Sequence, residues 1–288
     1  LKKIVLGTIF TSRGCPFNCT YCSSSLLFGK KFRARSPKNI VDEIEQFCNT
    51  YKSKDIEILD DLFIMDKKRT VAICQEITDR KLDLRWVCSA RVDIITKELT
   101  ETLKKAGCTM IYFGIESGCQ RVLNLMRKGT KVQQAAQAIK WAKEVGVESL
   151  GSYVIGIPGE TVEDMEQTIK FAKELDTGYT QFAIATPYPG TELYRVAKEQ
   201  GLLLTENWSD YTVVKPIIAT KDFSVKDIKR LIKKAYVTYY LRPKIIYRYI
   251  KKGHFKAVMG KVITNYISSR IKFKFANHEM KGYYIEQK

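Results

Sequence analysis

The chain has 288 residues, of which 45% are hydrophobic and 11% aromatic, and it carries a formal net charge of +18. Such a composition excludes a disordered polyelectrolyte and leaves ample chain for a sizeable core. The charge is lopsided: from Lys215 to Lys288 there are 19 Lys and Arg against 4 Asp and Glu, so basicity belongs to the tail. No apolar run approaches the roughly 20 residues of a membrane-spanning helix, and no basic-then-apolar leader opens the chain. The opening Leu1, in place of Met, predicts a piece of a longer protein with a partner domain upstream.

In chain order, β-branched runs alternate with helical periodicity. A strand is expected over Ile4–Phe10, followed by a cysteine-bearing loop. Ser36 caps a helix with Pro37 at its first position, carrying Ile40, Val41, Ile44 and Phe47 on one face. Further strands are expected at Ile56–Leu59, Leu84–Val87, Met110–Ile115, Ser149–Ile155 and Gln181–Thr186. Between them, helices follow Asp66, run from Thr96 to Gly107, form one helix or a pair ending at Gly146, start at Thr161, and cover Glu192–Gln200. Six such units predict an α/β fold, a partial (β/α)6 TIM-like barrel spanning residues 1–201, with functional residues on the loops after the strands. Beyond Gly201 the texture changes. Residues 202–288 read as a basic, mainly helical C-terminal extension, with amphipathic helices over Ser224–Tyr240, Lys244–Lys251 and Phe255–Ile267.

There are eight cysteines, and three of them fall within eight residues: Arg13-Gly14-Cys15-Pro16-Phe17-Asn18-Cys19-Thr20-Tyr21-Cys22. Disulfide frameworks belong mostly to short secreted chains, so a metal site in a reducing, cytoplasmic setting fits better. A closed [4Fe-4S] cluster takes four thiolates, and three on one loop leave one iron open to a small chelating molecule. Zinc usually wants four N or S ligands, and no second C-x2-C knuckle follows. Cys48 and Cys74 fall on apolar helix positions, and Cys88, Cys108 and Cys119 have no close spacing, so these five read as packed thiols.

The C-x3-C-x2-C loop resembles the signature of the radical S-adenosylmethionine (SAM) superfamily. The resemblance covers roughly residues 4–200. It implies that Cys15, Cys19 and Cys22 ligate a [4Fe-4S] cluster, that Tyr21 lies by the adenine of SAM, and that reductive SAM cleavage yields a 5′-deoxyadenosyl radical. Asp60-Asp61 stand where the family has a Gly-Gly-Glu-like motif for the methionine amino group, with the glycines replaced. Gly114-Ile115-Glu116-Ser117-Gly118 resembles the segment that meets the ribose and carboxylate, which implies contacts from Glu116 and Ser117. Gly156-Ile157-Pro158-Gly159-Glu160 resembles the segment that packs on the adenine, through Gly156 and Ile157. Arg91, at a strand mouth, suits a carboxylate or pairs with Asp60 or Asp93. Pro187, in Pro187-Tyr188-Pro189-Gly190, closes the adenine side, lines the substrate cavity, or forms a plain turn. No catalytic acid, base or nucleophile is singled out.

Ser12–Phe17, Phe32–Pro37 and Asp60–Phe63 look most like the cobalamin-binding branch, in which a B12 domain precedes the barrel; cobalamin would then enter through a missing N-terminal domain. The implied reaction is methyl transfer to an unactivated carbon, a rearrangement or C–C coupling, on a small molecule or lipid. The implied reductant is a flavodoxin or ferredoxin. A tRNA-modifying enzyme and a non-catalytic iron–sulfur or zinc module are the alternatives. The tail, with Arg242–Lys252 mixing cations and aromatics, suits peripheral contact with an anionic inner-membrane surface, a solvated face or, as a weaker fit, nucleic acid.

Overall fold

The computed structural model describes residues 6–253, 255, 259 and 260. They divide into two compact units, Leu1–Val225 and Lys226–Lys288.

The first unit starts with β1 (Leu6–Ile9), then a two-stranded ribbon of β2 (Ser12–Arg13) and β3 (Arg33–Ala34), with α1 (Ser24–Phe28) between them. There follow α2 (Pro37–Tyr51), β4 (Asp55–Ile58), α3 (Lys67–Asp79), β5 (Arg85–Arg91), α4 (Lys97–Lys105), β6 (Cys108–Glu116), α5 (Gln120–Leu125), α6 (Val132–Val145), β7 (Glu148–Ile155), α7 (Val162–Leu175), β8 (Tyr179–Ile184) and α8 (Glu192–Glu199). The main sheet has the order β1-β4-β5-β6-β7-β8, and every pairing in it is parallel. Among the described residues β1 and β8 do not pair, so the barrel is open, as expected for a partial one. Because all six strands point one way, their C-terminal ends share one edge, and the following loops collect there.

The helices begin where side chains satisfy free backbone donors. Ser36 accepts from the Asn39 N–H, Asp66 from Arg69, Thr96 from Leu99, and Thr161 from Asp164. Thr161 and Asp164 form a reciprocal capping box. Ile40, Val41 and Ile44 are buried on α2, as the periodicity requires.

Three features depart from the expectations. The strand expected at Leu84–Val87 runs on to Arg91, because Cys88–Arg91 find partners along β6. The last strand sits two residues earlier, at Tyr179–Ile184, and leaves Thr186 in the following loop. The cysteine loop is not wholly irregular: the β2–β3 ribbon and α1 brace its two ends. Residues of the 202–225 segment hydrogen-bond to the end of β8 and the loop after it. The Ile184 N–H donates to Val213 O at 2.7 Å, and Thr186 Oγ1 donates to Thr212 O at 3.1 Å.

In the second unit α9 (Val225–Tyr240) buries Ile228, Leu231 and Ala235 at helical spacing, and α10 (Pro243–Lys251) buries Ile245 and Tyr249. The rings of Tyr240 and Tyr249 stack at 6.1 Å, and Arg242 lies 4.4 Å over Tyr239. The helix expected at Phe255–Ile267 lies largely outside the described residues. Among the described residues no helix is long and apolar enough to cross a membrane.

Trp86 anchors the core of the sheet unit. It is 1% exposed, meets Phe63 edge-on at 5.7 Å, and donates its indole N–H to Ala106 O at 2.7 Å. Trp86→Ala should lower the free energy of unfolding in urea by about 3–5 kcal/mol. A loss under about 1 kcal/mol would show that this ring does not hold the sheet to its helices.

Candidate functional site

The loop after β1 carries the three cysteines, which are half-buried and free of disulfides. It is held at both ends. The Cys15 N–H donates to Gly29 O at 3.2 Å, and the Thr20 N–H to Met126 O at 2.9 Å. Gly14 has φ +93°, and a Cβ there would collide with the Lys31 carbonyl, so the ribbon closes against the loop only with glycine at this point. Burial raises the Cys15 thiol above its ordinary pKa, and nearby Asp61 adds to the shift. Burial raises Cys19 as well, and Lys128 and Arg91 offset only part of that rise.

Asp60 and Asp61, adjacent in sequence, part ways. Asp60 is 3% exposed and accepts from the Thr11 N–H at 2.6 Å, from Thr11 Oγ1 at 2.5 Å and from Ser12 Oγ. Arg69 reaches the same turn from α3, donating through Nη2 to Thr11 O at 2.8 Å and Thr11 Oγ1 at 2.7 Å, and through Nε to Arg35 O at 3.0 Å. The Asp60 carboxylate is thus occupied in fastening the start of the cysteine loop. Asp61 is half-buried beside Cys15 and faces the cysteine loop.

Arg91 ends β5 and chooses Asp93 over Asp60. Its Nε and Nη2 donate to the two Asp93 oxygens at 3.0 Å each, Nη2 also donates to Lys128 O at 2.7 Å, and Nη1 lies 4.0 Å from Cys19 Sγ. The guanidinium rests 3.6 Å above the Phe17 ring.

Glu116 ends β6 at a bulge, with φ 67° in the left-handed region. For a residue with a Cβ that backbone costs roughly 1–3 kcal/mol and is held by its surroundings. Its Oε1 accepts from Lys128 Nζ at 2.8 Å, with both side chains buried. Gly114 makes room for the pair, since a Cβ there would lie 2.7 Å from Glu116 Oε1 and 3.0 Å from Lys128 Nζ. Burial, with Glu116 beside the hydroxyl, raises Tyr21 well above the ordinary tyrosine pKa. Tyr21, Glu116, Lys128, Arg91 and Cys19 therefore form one continuous polar group against the cysteine loop.

Ser117 is fully buried and occupied locally: its Oγ lies 2.8 Å from Thr168 Oγ1 and accepts from the Cys119 N–H at 3.1 Å. Gly156 and Ile157, after β7, donate their N–H groups to Glu160 Oε2 at 2.6 and 3.0 Å, which locks that turn. Pro187 is buried in the loop after β8.

Nothing in the sequence marks Thr11, Arg69 or Lys128 as part of the site, and Ser12 enters only within the Ser12–Phe17 resemblance. No periodicity marks Lys128. It lies past the end of α5 between Arg127 (φ 48°) and Gly129 (φ 72°), and this reversal turns it back to Glu116. The Gly156-Ile157-Pro158-Gly159-Glu160 turn contains Glu160, but its buried role follows only from the folded turn.

The profile of the radical SAM superfamily matches residues 9–172. The chain belongs to the radical SAM superfamily. The superfamily uses a [4Fe-4S] cluster together with SAM; of its solved neighbours, one holds a [4Fe-4S] cluster with cobalamin and another holds SAM with cobalamin. An uncharacterized methyltransferase of Pyrococcus horikoshii is 45% identical over 251 residues, covering 87% of this chain and 55% of the relative. A cytidylyl-2-hydroxyethylphosphonate methyltransferase of Streptomyces wedmorensis is 30% identical over 207 residues, covering 69% of this chain and 38% of the relative. The chain thus spans about half the length, or less, of these curated relatives. In fold it is similar to the methyltransferase TsrM of Kitasatospora setae, with a TM-score of 0.65 at 20% identity, covering 84% of this chain and 53% of that one. It is likewise similar to the cobalamin-dependent enzyme OxsB, with a TM-score of 0.67 at 16% identity, covering 88% and 46%.

Two predictions follow from this geometry. Asp60→Ala strands three donors and removes the nearer of two carboxylate charges around Arg69, so stability in urea should fall by about 3 kcal/mol whether or not SAM is present. Unchanged stability with weaker SAM binding would reassign Asp60 to the ligand. Burial lifts Glu160 from the ordinary glutamate range to about 8, and its Oε1 has no partner among the described residues. Above the ordinary value the unfolded chain releases this proton while the folded chain keeps it. Stability should therefore fall as pH rises from roughly 4.5 to 8, by a few kcal/mol at most. Glu160→Gln should flatten that part of the melting-temperature profile, and an unaltered slope would mean that Glu160 is ionised in the fold.

Proposed function

We propose that the chain is the SAM-cleaving part of a radical SAM methyltransferase. The observation that carries this is the junction of three thiols on one loop with a buried Glu116–Lys128 pair and Arg91, at the edge where six parallel strands end. Among the described residues no three His, Cys, Asp or Glu side chains converge tightly enough for a single metal ion. The donor set of three thiols suits a multi-iron group, whose corners stand apart. Cys15, Cys19 and Cys22 would hold a [4Fe-4S] cluster, which when bound supplies one electron for breaking a SAM carbon–sulfur bond.

The other residues bind and orient. Half-buried Asp61 offers a carboxylate to the SAM amino group. Lys128 offers the compact cation that a carboxylate needs, while Glu116 can accept from two ribose hydroxyls at once. Gly156, Ile157, Tyr21 and Pro187 supply an apolar wall for the adenine, and the Glu160 bonds keep the Gly156–Ile157 turn from moving. Arg91 and Lys128 hold positive charge against Cys19, which favours its thiolate. Asp60 and Ser117 act by positioning.

Methyl transfer is supported by the 45% identical relative, an uncharacterized methyltransferase, and cobalamin by the solved neighbours. The cobalamin would come from a part of the protein beyond this chain. A small molecule or lipid substrate fits relatives such as the hopanoid C-3 methylase of Methylococcus capsulatus, 24% identical over 228 residues. A reducing cytoplasm suits eight free cysteines. The exposed Tyr247 and Ile250 of α10, in a strongly basic tail, suit an anionic membrane surface.

The test is anaerobic. The reconstituted chain, given SAM and dithionite, should form 5′-deoxyadenosine, and Cys15→Ala, Cys19→Ala or Cys22→Ala should each remove it together with the ~400 nm absorbance expected of thiolate-bound iron–sulfur clusters. Lys128→Met should weaken SAM binding about tenfold or more and leave iron content intact, as loss of one charge-assisted contact implies. Full turnover by any cysteine variant would sink the ligand assignment.

A further inference from the structure

The β2–β3 ribbon sets Arg13 directly opposite Arg33. Like charges opposed on neighbouring strands repel and destabilise a ribbon, so the pair calls for an anion outside it. Lys30 and Lys31 extend the charge, and all four side chains are exposed. Among the described residues none of the four forms an ion pair with a carboxylate. Arg33 donates only to the Phe28 and Lys31 carbonyls, at 2.6 and 3.0 Å, and Arg13 lies 5.6 Å from the Phe10 ring centre. Elsewhere on this unit exposed Arg and Lys do find carboxylates, as Arg195 does with Glu192 and Glu199, and Lys54 with Asp83. Beside the cations stand exposed apolar side chains, Phe10 at 40% and Leu27 at 73%. Apolar contact surface rimmed by charge is the make-up of a protein docking face.

The place of this face says what docks. Gly14 alone separates Arg13 from Cys15, so the two Cα atoms are at most about 7.6 Å apart. The Gly29 carbonyl, next to Lys30, holds the Cys15 N–H. We propose that the Arg13/Lys30/Lys31/Arg33 ribbon is the docking face for an acidic, low-potential one-electron carrier protein that reduces the group on the cysteine loop. The inference rests on the reading of Cys15, Cys19 and Cys22 as cluster ligands. In the step the carrier loses one electron and the oxidised cluster gains it, and no atom is transferred. A cationic face steers an acidic carrier to the cluster, raises its association rate, and weakens as salt screens it.

The probe is a photoreduced flavodoxin. Its affinity for the cluster-free chain should fall steeply with salt. Lys30→Glu/Lys31→Glu, whose side chains make no hydrogen bond among the described residues, should raise Kd about tenfold or more at low salt. On the reconstituted chain the same variant should slow flavodoxin-driven bleaching of the cluster by a similar factor, while dithionite-driven bleaching stays as in the wild type. Adding Arg33→Glu should deepen both losses. Wild-type affinity in Lys30→Glu/Lys31→Glu, binding indifferent to salt, or loss of anionic-vesicle binding in its place would each overturn the docking face. The two failures are separable: absence of dithionite-driven SAM cleavage in the wild type overturns the cluster reading beneath the proposal, whereas unaltered flavodoxin binding overturns the docking face alone.

Discussion

One buried carboxylate fixes where the chemistry sits. Asp60, at the end of β4, gathers the Thr11 N–H and the Thr11 and Ser12 hydroxyls, while Arg69 from α3 grips the same turn through its carbonyl and hydroxyl. The chain leaving β1 therefore enters the β2–β3 ribbon at a set angle, and the cysteine loop hangs from that ribbon. A buried carboxylate is costly unless its lone pairs are filled, and here three donors fill them. The constraint runs both ways: the loop is rigid at its root because Asp60 would be intolerable without it.

Charge is handled in the opposite manner on the two sides of the loop. Inside, the two cations nearest Cys19 are paired: Arg91 grips Asp93, and Lys128 grips Glu116. Both cations nonetheless stand close enough to Cys19 to favour its thiolate, so neutralising pairs and a local positive field coexist. Outside, the cations of the ribbon meet no carboxylate among the described residues. The difference follows from solvent, since a buried cation without a partner costs several kcal/mol, while an exposed one costs little and stays available.

The six-unit rhythm was legible because each βα unit repeats the same two periods, and the capping residues Ser36, Thr96 and Thr161 announce their helices locally. The site was legible only in part. Cys15, Cys19 and Cys22 share one loop by sequence alone, and the segments around Glu116 and Gly156 stand at strand ends where a parallel sheet gathers its loops. Asp60 and Asp61 look equivalent in sequence, yet one is an anchor and the other faces the cysteine loop, because neighbouring residues leaving a strand point to opposite sides. Ser117 has a side chain suited to a ligand, but packing against α7 gives it to Thr168.

The sequence by itself determined the three-thiol loop, the parallel α/β order and the split between a nearly balanced body and a basic tail, because spacing, periodicity and charge are local quantities. Only the tertiary structure decided that Lys128 pairs with Glu116, that Arg91 takes Asp93, that Arg69 braces Thr11, and that Arg13 faces Arg33. These pairings join residues 2 to 58 positions apart. They depend on strand register and on left-handed turns at Glu116 and Arg127, which are settled when the whole sheet packs and not by any neighbouring residue.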